Sequence, residues 1–354
     1  MRKKYFLILI VFFFIIFTVN SLPFNRTKIN ANNDLKKVEF KNEKGTYCIN
    51  AKKYLRISTY DGKDQSNHPK VLYMPKGWNG YKYWMAYTPY PNYVDRYENP
   101  SILVSNDGVN WVLPLGLRNP VIPPPKDVNM GGHNSDPHLV LNYKDNSMEL
   151  WYRVNKGTSK KRAGSEDFIY KVVSKDGIRW SKPKLIFYQK KGLCLSPAII
   201  YENNLYKMWY VTYVNKVTVI NYTESKDSTK WEKPREVYVK YDESCYPWHI
   251  DVTRTDKGYE LLVANYYKQF ENNLILSYAI SKDGVNFGKT TDLLAPSKNT
   301  FAWDNGMIYR SSLVKVGSKY KIYYSAMDKK GRWHIGVTDM DKPPSDTAPV
   351  MKQI

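Results

Sequence analysis

Beyond residue 60 the chain alternates apolar runs of strand length with polar turns, and the alternation recurs as a unit. Each unit is an apolar stretch, a polar turn and an aromatic-rich stretch. It reads "HPKVLYMPKGWNGYKYWMAYTPY" from His68, "DPHLVLNYKDNSMELWYRV" from Asp136 and "SPAIIYENNLYKMWYVTY" from Ser196. A looser copy, "WHIDVTRTDKGYELLVANYY", starts at Trp248, and a fifth, "RSSLVKVGSKYKIYYSAM", at Arg310. Further along each of the first four units comes a turn: "SNDGVNW" at Ser105–Trp111, "SKDGIRW" at Ser174–Trp180, "SKDSTKW" at Ser225–Trp231 and "SKDGVNF" at Ser281–Phe287. In the fifth unit "WHIGVTDMD" stands in its place. No amphipathic helical pattern separates the units. Each therefore predicts an inner strand, an aromatic strand and a hairpin round the turn. Four antiparallel strands repeated radially make propeller blades. The pattern predicts an all-β fold, a five-bladed β-propeller of four-stranded antiparallel blades over residues 61–345, with a tail at 346–354.

Asp-Gly supplies the tight positive-φ turn of a hairpin, and the aromatic that follows packs back across it. These turns resemble the Asp-box turns of sialidases and related propellers. The resemblance implies a structural role on the outer hairpins, away from the chemistry, for Asp107, Asp176, Asp227 and Asp283.

Composition agrees with a β fold: 31 Tyr, 10 Trp and 12 Phe suit pleated, half-buried surfaces. The opening "MRKKYFLILIVFFFIIFTVNSLPF" sets three positive residues before an apolar run of signal-peptide length, short for a membrane span. Residues 1–21 are read as an export signal, with an uncleaved N-terminal anchor as the alternative. Residues 22–60 are polar and irregular, a linker with lead-in strands. The positive flank stays cytoplasmic, so the body is expected outside the cell or on its surface, touching membrane only through the N-terminal segment. The net charge of +21, or +18 without Arg2, Lys3 and Lys4, favours anionic partners such as an acidic cell-surface polymer. Lys is scattered through turns with no basic helix, which argues against nucleic acid. Cys48, Cys194 and Cys245 fit no zinc spacing; Cys194 and Cys245 precede inner strands and are candidates to pair.

Propeller geometry says where to look. The connections between blades and the loops between second and third strands share one face, and a ligand pocket belongs there. Aligned inner strands bring His68, Asp136, Ser196, Trp248 and Arg310 to matching positions round the axis. His249 and Asp251 follow in blade four, and Asp304 leads into blade five. The loops between second and third strands add Glu98 from blade one and Arg153 from blade two, and Glu243 lies before blade four. Carboxylates, His, Arg and aromatic faces together suit sugars. The fold does not demand an acid at Asp136, because its counterparts are of four other types.

Five blades with an Asp-Pro opening the second resemble the five-bladed glycoside hydrolases of the family 43 and family 32 type. "SDPHLV" is similar to their Asp-Pro element, and "WDNGMIYRSS" to their last-blade approach. The resemblance implies a carboxylate mechanism, with Asp136 as base or transition-state stabiliser and Glu98 or Glu243 as acid. The chain departs from the pattern at the first inner strand, where those enzymes carry Asp and this chain has His68. The favoured reading is an exported glycoside hydrolase-like enzyme acting on a carbohydrate, anionic polysaccharides included, with no metal or cofactor. His68, Arg153, Trp248, His249, Asp251, Asp304 and Arg310 would bind substrate. The alternative is a non-catalytic glycan-binding propeller at the cell surface. A third reading is a metal-assisted site built from His68, Asp136 and His249.

Overall fold

Five antiparallel sheets follow the five sequence units in order. The computed structural model describes residues 46–126, 131–156, 166–189, 192–241, 245–267 and 274–344. Blade one holds β1 (Ser66–Trp78), β2 (Tyr81–Pro89) and β3 (Ser101–Ser105), with a single bridge from Val104 to Val112 at its outer edge. Blade two holds β4 (His133–Asn142), β5 (Ser147–Lys156), β6 (Glu166–Ser174) and β7 (Lys184–Gln189). Blade three holds β8 (Leu195–Glu202), β9 (Leu205–Val214), β10 (Val217–Ser225) and β11 (Arg235–Glu236). The short β12 (Tyr238–Lys240) pairs in parallel with β16 (Asn286–Lys289) and ties blade three to blade four. Blade four is β13 (Tyr246–Thr255), β14 (Gly258–Tyr266), β15 (Leu274–Ser281) and β17 (Thr291–Leu294). Blade five is β18 (Met307–Val316), β19 (Lys319–Met327) and β20 (Trp333–Met340). This is the five-bladed propeller that the repeats predict.

Turn chemistry sets the hairpins. Asn79-Gly80, Asn203-Asn204 and Asn215-Lys216 each place two consecutive residues at positive φ between paired strands, the backbone of a two-residue hairpin. The second strand of each blade is nearly all buried, so apolar side chains point both ways and pack against the blades on either side. The core is accordingly divided among the blade interfaces. Trp84 and Ile102 meet Leu150 and Val172 between blades one and two. Trp151 and Ile169 meet Ile199 and Met208 at the next interface. Trp209 and Ile220 meet Ile250 and Val263, and Leu262 and Tyr278 meet Ile308 and Tyr324. Tyr83 and Leu103 meet Tyr323 and Ile335 where the ring closes.

Closure uses residues upstream of blade one. Leu55 N donates to Ile335 O of β20 at 2.8 Å, while Tyr47 N and Cys48 N donate to Asp292 O and Leu293 O of β17. Leu55 and Ile57 join the core between blades five and one. The expected Cys194–Cys245 disulfide does not form. Cys194 is a free, buried thiol packed with Trp151 and Ile169 between blades two and three, whereas Cys245 lines the cleft between blades three and four.

The Ser-x-Asp turns prove to be latches between blades. In the first, Asp107 Oδ1 accepts from Val109 N at 2.8 Å and Asn110 N at 2.7 Å, and Gly108 N donates to Ser105 Oγ. Such donors hold Asp107, Asp176 and Asp227 below the usual carboxylate range. Each turn then docks on the preceding blade. Tyr323 Oη donates to Gly108 O, Trp209 Nε1 donates to Gly284 O, and Lys171 Nζ donates to Ser228 Oγ. Gly177 lies so close to Trp84 that an added Cβ would stand 2.1 Å from its ring, at φ +74°. Gly177→Ala is therefore expected to cost about 3 kcal/mol, from the positive φ and the overpacking together. Gly62→Ala, at φ +70° with nothing within 4 Å, isolates the backbone part at about 1 kcal/mol. Urea denaturation of both variants checks the difference.

Candidate active site at the axial mouth

Every inner strand carries an irregularity beside the axis. The register slips by one residue between Asn67 and Lys70, Ser135 and His138, Leu195 and Ala198, Pro247 and His249, and Ile308 and Ser311. In the first three blades the slip falls on His68-Pro69, Asp136-Pro137 and Ser196-Pro197. Proline has no N–H to give the ladder, so the strand bulges there and its side chains are re-aimed. His68, Asp136 and Ser196 sit at φ 54°, 50° and 54°. Non-glycine residues held so cost about 1–3 kcal/mol each, and such backbone clusters at functional sites. In blade five the bulge comprises Tyr309 and Arg310, and in blade four Trp248.

The bulges deliver side chains from separate blades to one carboxylate. Asp136 is fully buried. Its Oδ1 lies 3.2 Å from Arg310 Nη1 and 3.3 Å from His249 Nδ1, and its Oδ2 lies 3.9 Å from Arg153 Nη1. Ser135 Oγ also donates to Oδ2. Arg310 reaches on to Pro197 O, and Arg153 to Asp167 at 2.8 Å. His68 completes the group: its Nδ1 meets Thr88 Oγ1 at 2.9 Å and lies 3.5 Å from Glu98 Oε1. Its Nε2, like His249 Nε2, is buried with no hydrogen-bond partner, while His249 Nδ1 faces Asp136. The half-buried rings of Trp248, Tyr266 and Tyr309 wall the group. Trp248 Nε1 donates to Tyr309 Oη at 3.1 Å, and Tyr309 packs on His249 with centroids 4.1 Å apart.

Protonation follows from burial and neighbours. Burial opposes the charge on Asp136, but His68, His249 and Arg310 outweigh it and hold the carboxyl well below its usual range. Burial pulls His68 well down and His249 down, so both rings are neutral near pH 7. Glu98 moves the other way: burial, with Asp95 and Asp136 nearby, pushes it well above the carboxylate range. It therefore retains a proton. One ionised acid, one protonated acid and two neutral imidazoles stand within one group.

These shifts predict the acid limb of stability. The unfolded chain protonates His68, His138 and His249 near pH 6.5, whereas burial keeps all three neutral in the fold to lower pH. The folded chain in turn keeps a Glu98 proton that the unfolded chain loses above pH 4.5. Between those limits these four groups take up about three histidine protons on unfolding and release one carboxyl proton, so stability falls as pH falls. Two net protons correspond to a slope of about 2.7 kcal/mol per pH unit from these groups. His138→Gln should flatten it by about one proton, read by urea denaturation between pH 5 and 7 with chelator present.

The remaining sequence-chosen residues divide. Glu98, Arg153, Trp248, His249 and Arg310 join His68 and Asp136. Asp251 does not join them as a binding group: Lys70 Nζ meets it at 2.7 Å and Leu313 N at 3.3 Å, so it holds a buried ion pair across blades one, four and five. Asp304 accepts from Asn50 Nδ2 at 2.7 Å and Tyr324 Oη at 3.0 Å. Glu243 lies outside the described residues. Tyr309 was missed. The X-Pro pairs that mark the first three bulges have no counterpart in "MIYRSS", so nothing in the sequence announces it.

His68, Asp136 and His249 offer ligand atoms within 4.8 Å of one another, the one such group among the described residues. Two neutral imidazoles with unpartnered nitrogens and one ionised carboxylate fit a divalent transition ion. They also leave further coordination positions open, as in a hydrolytic rather than a structural site. The expectation of a metal-free site is thus set against a donor set able to hold one.

No protein-family model matches the chain. A type blood N-acetyl-alpha-D-galactosamine deacetylase of Flavonifractor plautii is 30% identical over 318 residues, or 75% of this chain. The chain spans 40% of the length of that curated relative. The crystal structure of an N-acetylgalactosamine deacetylase from F. plautii, in complex with blood group B trisaccharide, superposes with TM-score 0.74 at 24% identity, covering 83% of this chain and 96% of that one. An exo-1,5-alpha-L-arabinanase from a bovine ruminal metagenomic library gives 0.56 at 14% identity over 82% and 97% of the two chains. A thermostable family-43 glycoside hydrolase gives 0.56 at 14% over 82% and 93%. The chain is thus built on the five-bladed propeller of family-43-type glycoside hydrolases, a fold shared with an N-acetylgalactosamine deacetylase.

Proposed function

We propose that the chain is a metal-assisted hydrolase of glycans that removes the acetyl group from an N-acetylated amino sugar. The observation that carries this reading is the convergence of the ionised Asp136 with His68 and His249, each of which keeps Nε2 without a hydrogen-bond partner. A glycosidase needs two carboxyl groups free to act on the sugar. Here Asp136 is fully buried among cations, which suits an anchor for charge better than a nucleophile. The match to the F. plautii deacetylase supports the same choice.

A divalent ion held by His68, Asp136 and His249 would polarise the acetamide carbonyl and make a water acidic enough to attack it. The chain's own residues do the rest. Arg310 and Arg153 keep Asp136 ionised, and Thr88 fixes the His68 ring through Nδ1 so that Nε2 faces inward. Glu98, which retains its proton, would act as the acid that protonates the departing nitrogen, and the proton shed by the attacking water would pass to solvent. The C–N bond breaks, a C–O bond forms, one water is consumed, and acetate and the amino sugar leave. Trp248 and Tyr309 offer aromatic faces to the ring and keep bulk water back.

Export and surface attachment belong to the same proposal, supported by the N-terminal sequence; residues 1–45 lie outside the described residues. No helix among those described is long and apolar enough to cross a membrane. The positive body would be drawn to anionic wall polymer, an attraction that weakens as added salt shortens the Debye length.

The test is product analysis on N-acetylgalactosaminides and N-acetylglucosaminides. Acetate release that chelator abolishes and zinc restores is expected. Reducing sugar without acetate would replace this reading with glycoside hydrolysis, and retention of glycan with neither product would leave the binding propeller.

A further inference from the structure

A cleft of about 410 Å³ opens between blades three and four, within the roughly 300–1,000 Å³ range of small-molecule sites. It is lined by the start of β10, by β12 and by the chain leading into β13. Strand direction puts all three on the face of the axial mouth. Pro247, in its wall, directly precedes Trp248 and His249.

Two observations point to a ligand. Thr218 lines the cleft, is 3% exposed, and its Oγ1 has no hydrogen-bond partner. The Tyr241 hydroxyl, also in the lining, is likewise buried and unpartnered. A buried hydroxyl left unpaired is costly, so a ligand that supplies the partner accounts for its presence. The rest of the wall is apolar or aromatic, with Ile220, Val237, Tyr246 and Pro247. Among the described residues no Lys or Arg lines it and Glu236 does, which disfavours an anion. Apolar faces with hydroxyl partners at a carboxylate rim fit a neutral sugar ring, whose C–H faces are apolar and whose edge is hydroxyl.

We propose that this cleft is a second sugar subsite, holding a neutral residue of the glycan whose N-acetylated residue occupies the mouth. The identity of the glycan rests on the proposed function; the capacity of the cleft to hold a neutral sugar does not. A substrate long enough to fill both places gains affinity from each, as linked sites do.

The experiment separates the two. Methyl glycosides of galactose, glucose, mannose and fucose are offered to the full chain, and saturation-transfer NMR reads binding. At least one should bind wild type and His249→Ala alike. It should be weakened about three- to tenfold by Thr218→Val, the loss of one hydrogen bond, and excluded by Val239→Phe, which enlarges a side chain of the lining packed beside Ile220. Thr218→Val removes an unpaired buried hydroxyl, so it should fold at least as stably as wild type. Lost binding then cannot be charged to unfolding. Acetate release from methyl N-acetylgalactosaminide and from blood group A trisaccharide is compared in parallel. Thr218→Val should lower kcat/KM on the trisaccharide by the same factor and leave the methyl glycoside unchanged. If no methyl glycoside binds in a way that Val239→Phe abolishes, or if Thr218→Val alters neither its binding nor the trisaccharide, the subsite is overturned. Sugar binding without acetate release from either substrate would count against the deacetylase reading and leave the subsite standing.

Discussion

Asparagine at position 136 is expected to lower acetate release by about 10³-fold or more, equivalent to roughly 4 kcal/mol of barrier, and to destabilise the fold as well. Asp136→Asn keeps the side chain's shape and removes its charge. Arg310, 1% exposed, then loses its carboxylate, and Arg153 retains only Asp167. Removing one partner of a buried pair typically costs about 3–5 kcal/mol. His249→Gln separates the two effects. On the proposed function its loss should abolish activity and reduce metal content, with a smaller change in stability than Asp136→Asn, because Nε2 has no hydrogen-bond partner and Nδ1 meets Asp136 alone. Metal analysis beside urea denaturation reads both variants. Full activity in Asp136→Asn would remove the carboxylate from the mechanism.

The second large effect lies at the same axis but outside the chemistry. Lys70→Met strands Asp251, which is buried and keeps only the Leu313 N–H and the His138 ring, 4.0 Å away, beside it. The expected cost is about 3–5 kcal/mol. Lys70→Met with Asp251→Leu removes both charges and should recover most of it, less the price of an unsatisfied Leu313 N–H at about 1–3 kcal/mol. A double-mutant cycle by denaturation gives the coupling directly. Additive costs would mean that the pair, though 2.7 Å apart, does not interact in the way described.

The propeller was legible because repetition over-determines it: five copies of strand, turn and aromatic strand leave little else for the chain to do. Asp136, His68 and His249 were legible because each opens an inner strand at the mouth. Their partners were less so. Lys70 lies 181 positions from Asp251, and nothing local marks a lysine in an apolar strand as the counter-ion of a distant acid. Arg310 reached the mouth as expected, but the bulge brought Tyr309 with it. A carboxylate reading of the chemistry was natural from Asp-Pro alone. Only the three-dimensional grouping shows Asp136 hemmed by Arg310, Arg153 and His249, and only it reveals ring nitrogens left unspent.

Closure of the ring has a kinetic side. Thr338 Oγ1 bonds Ile49 O across 289 positions of sequence, and Leu55 pairs with β20 in the last blade. The edge of blade five is therefore completed by a segment synthesised before blade one. A chain emerging N-terminus first can seat Tyr47 and Cys48 once blade four exists but must keep Ile49 to Leu55 in waiting until blade five does, and a β20 not yet joined by them is an edge open to other chains. Contacts so distant in sequence form slowly. The fastening of Ile49 and Leu55 can thus only follow blade five, and a chain cut short before β20 would leave both without these partners.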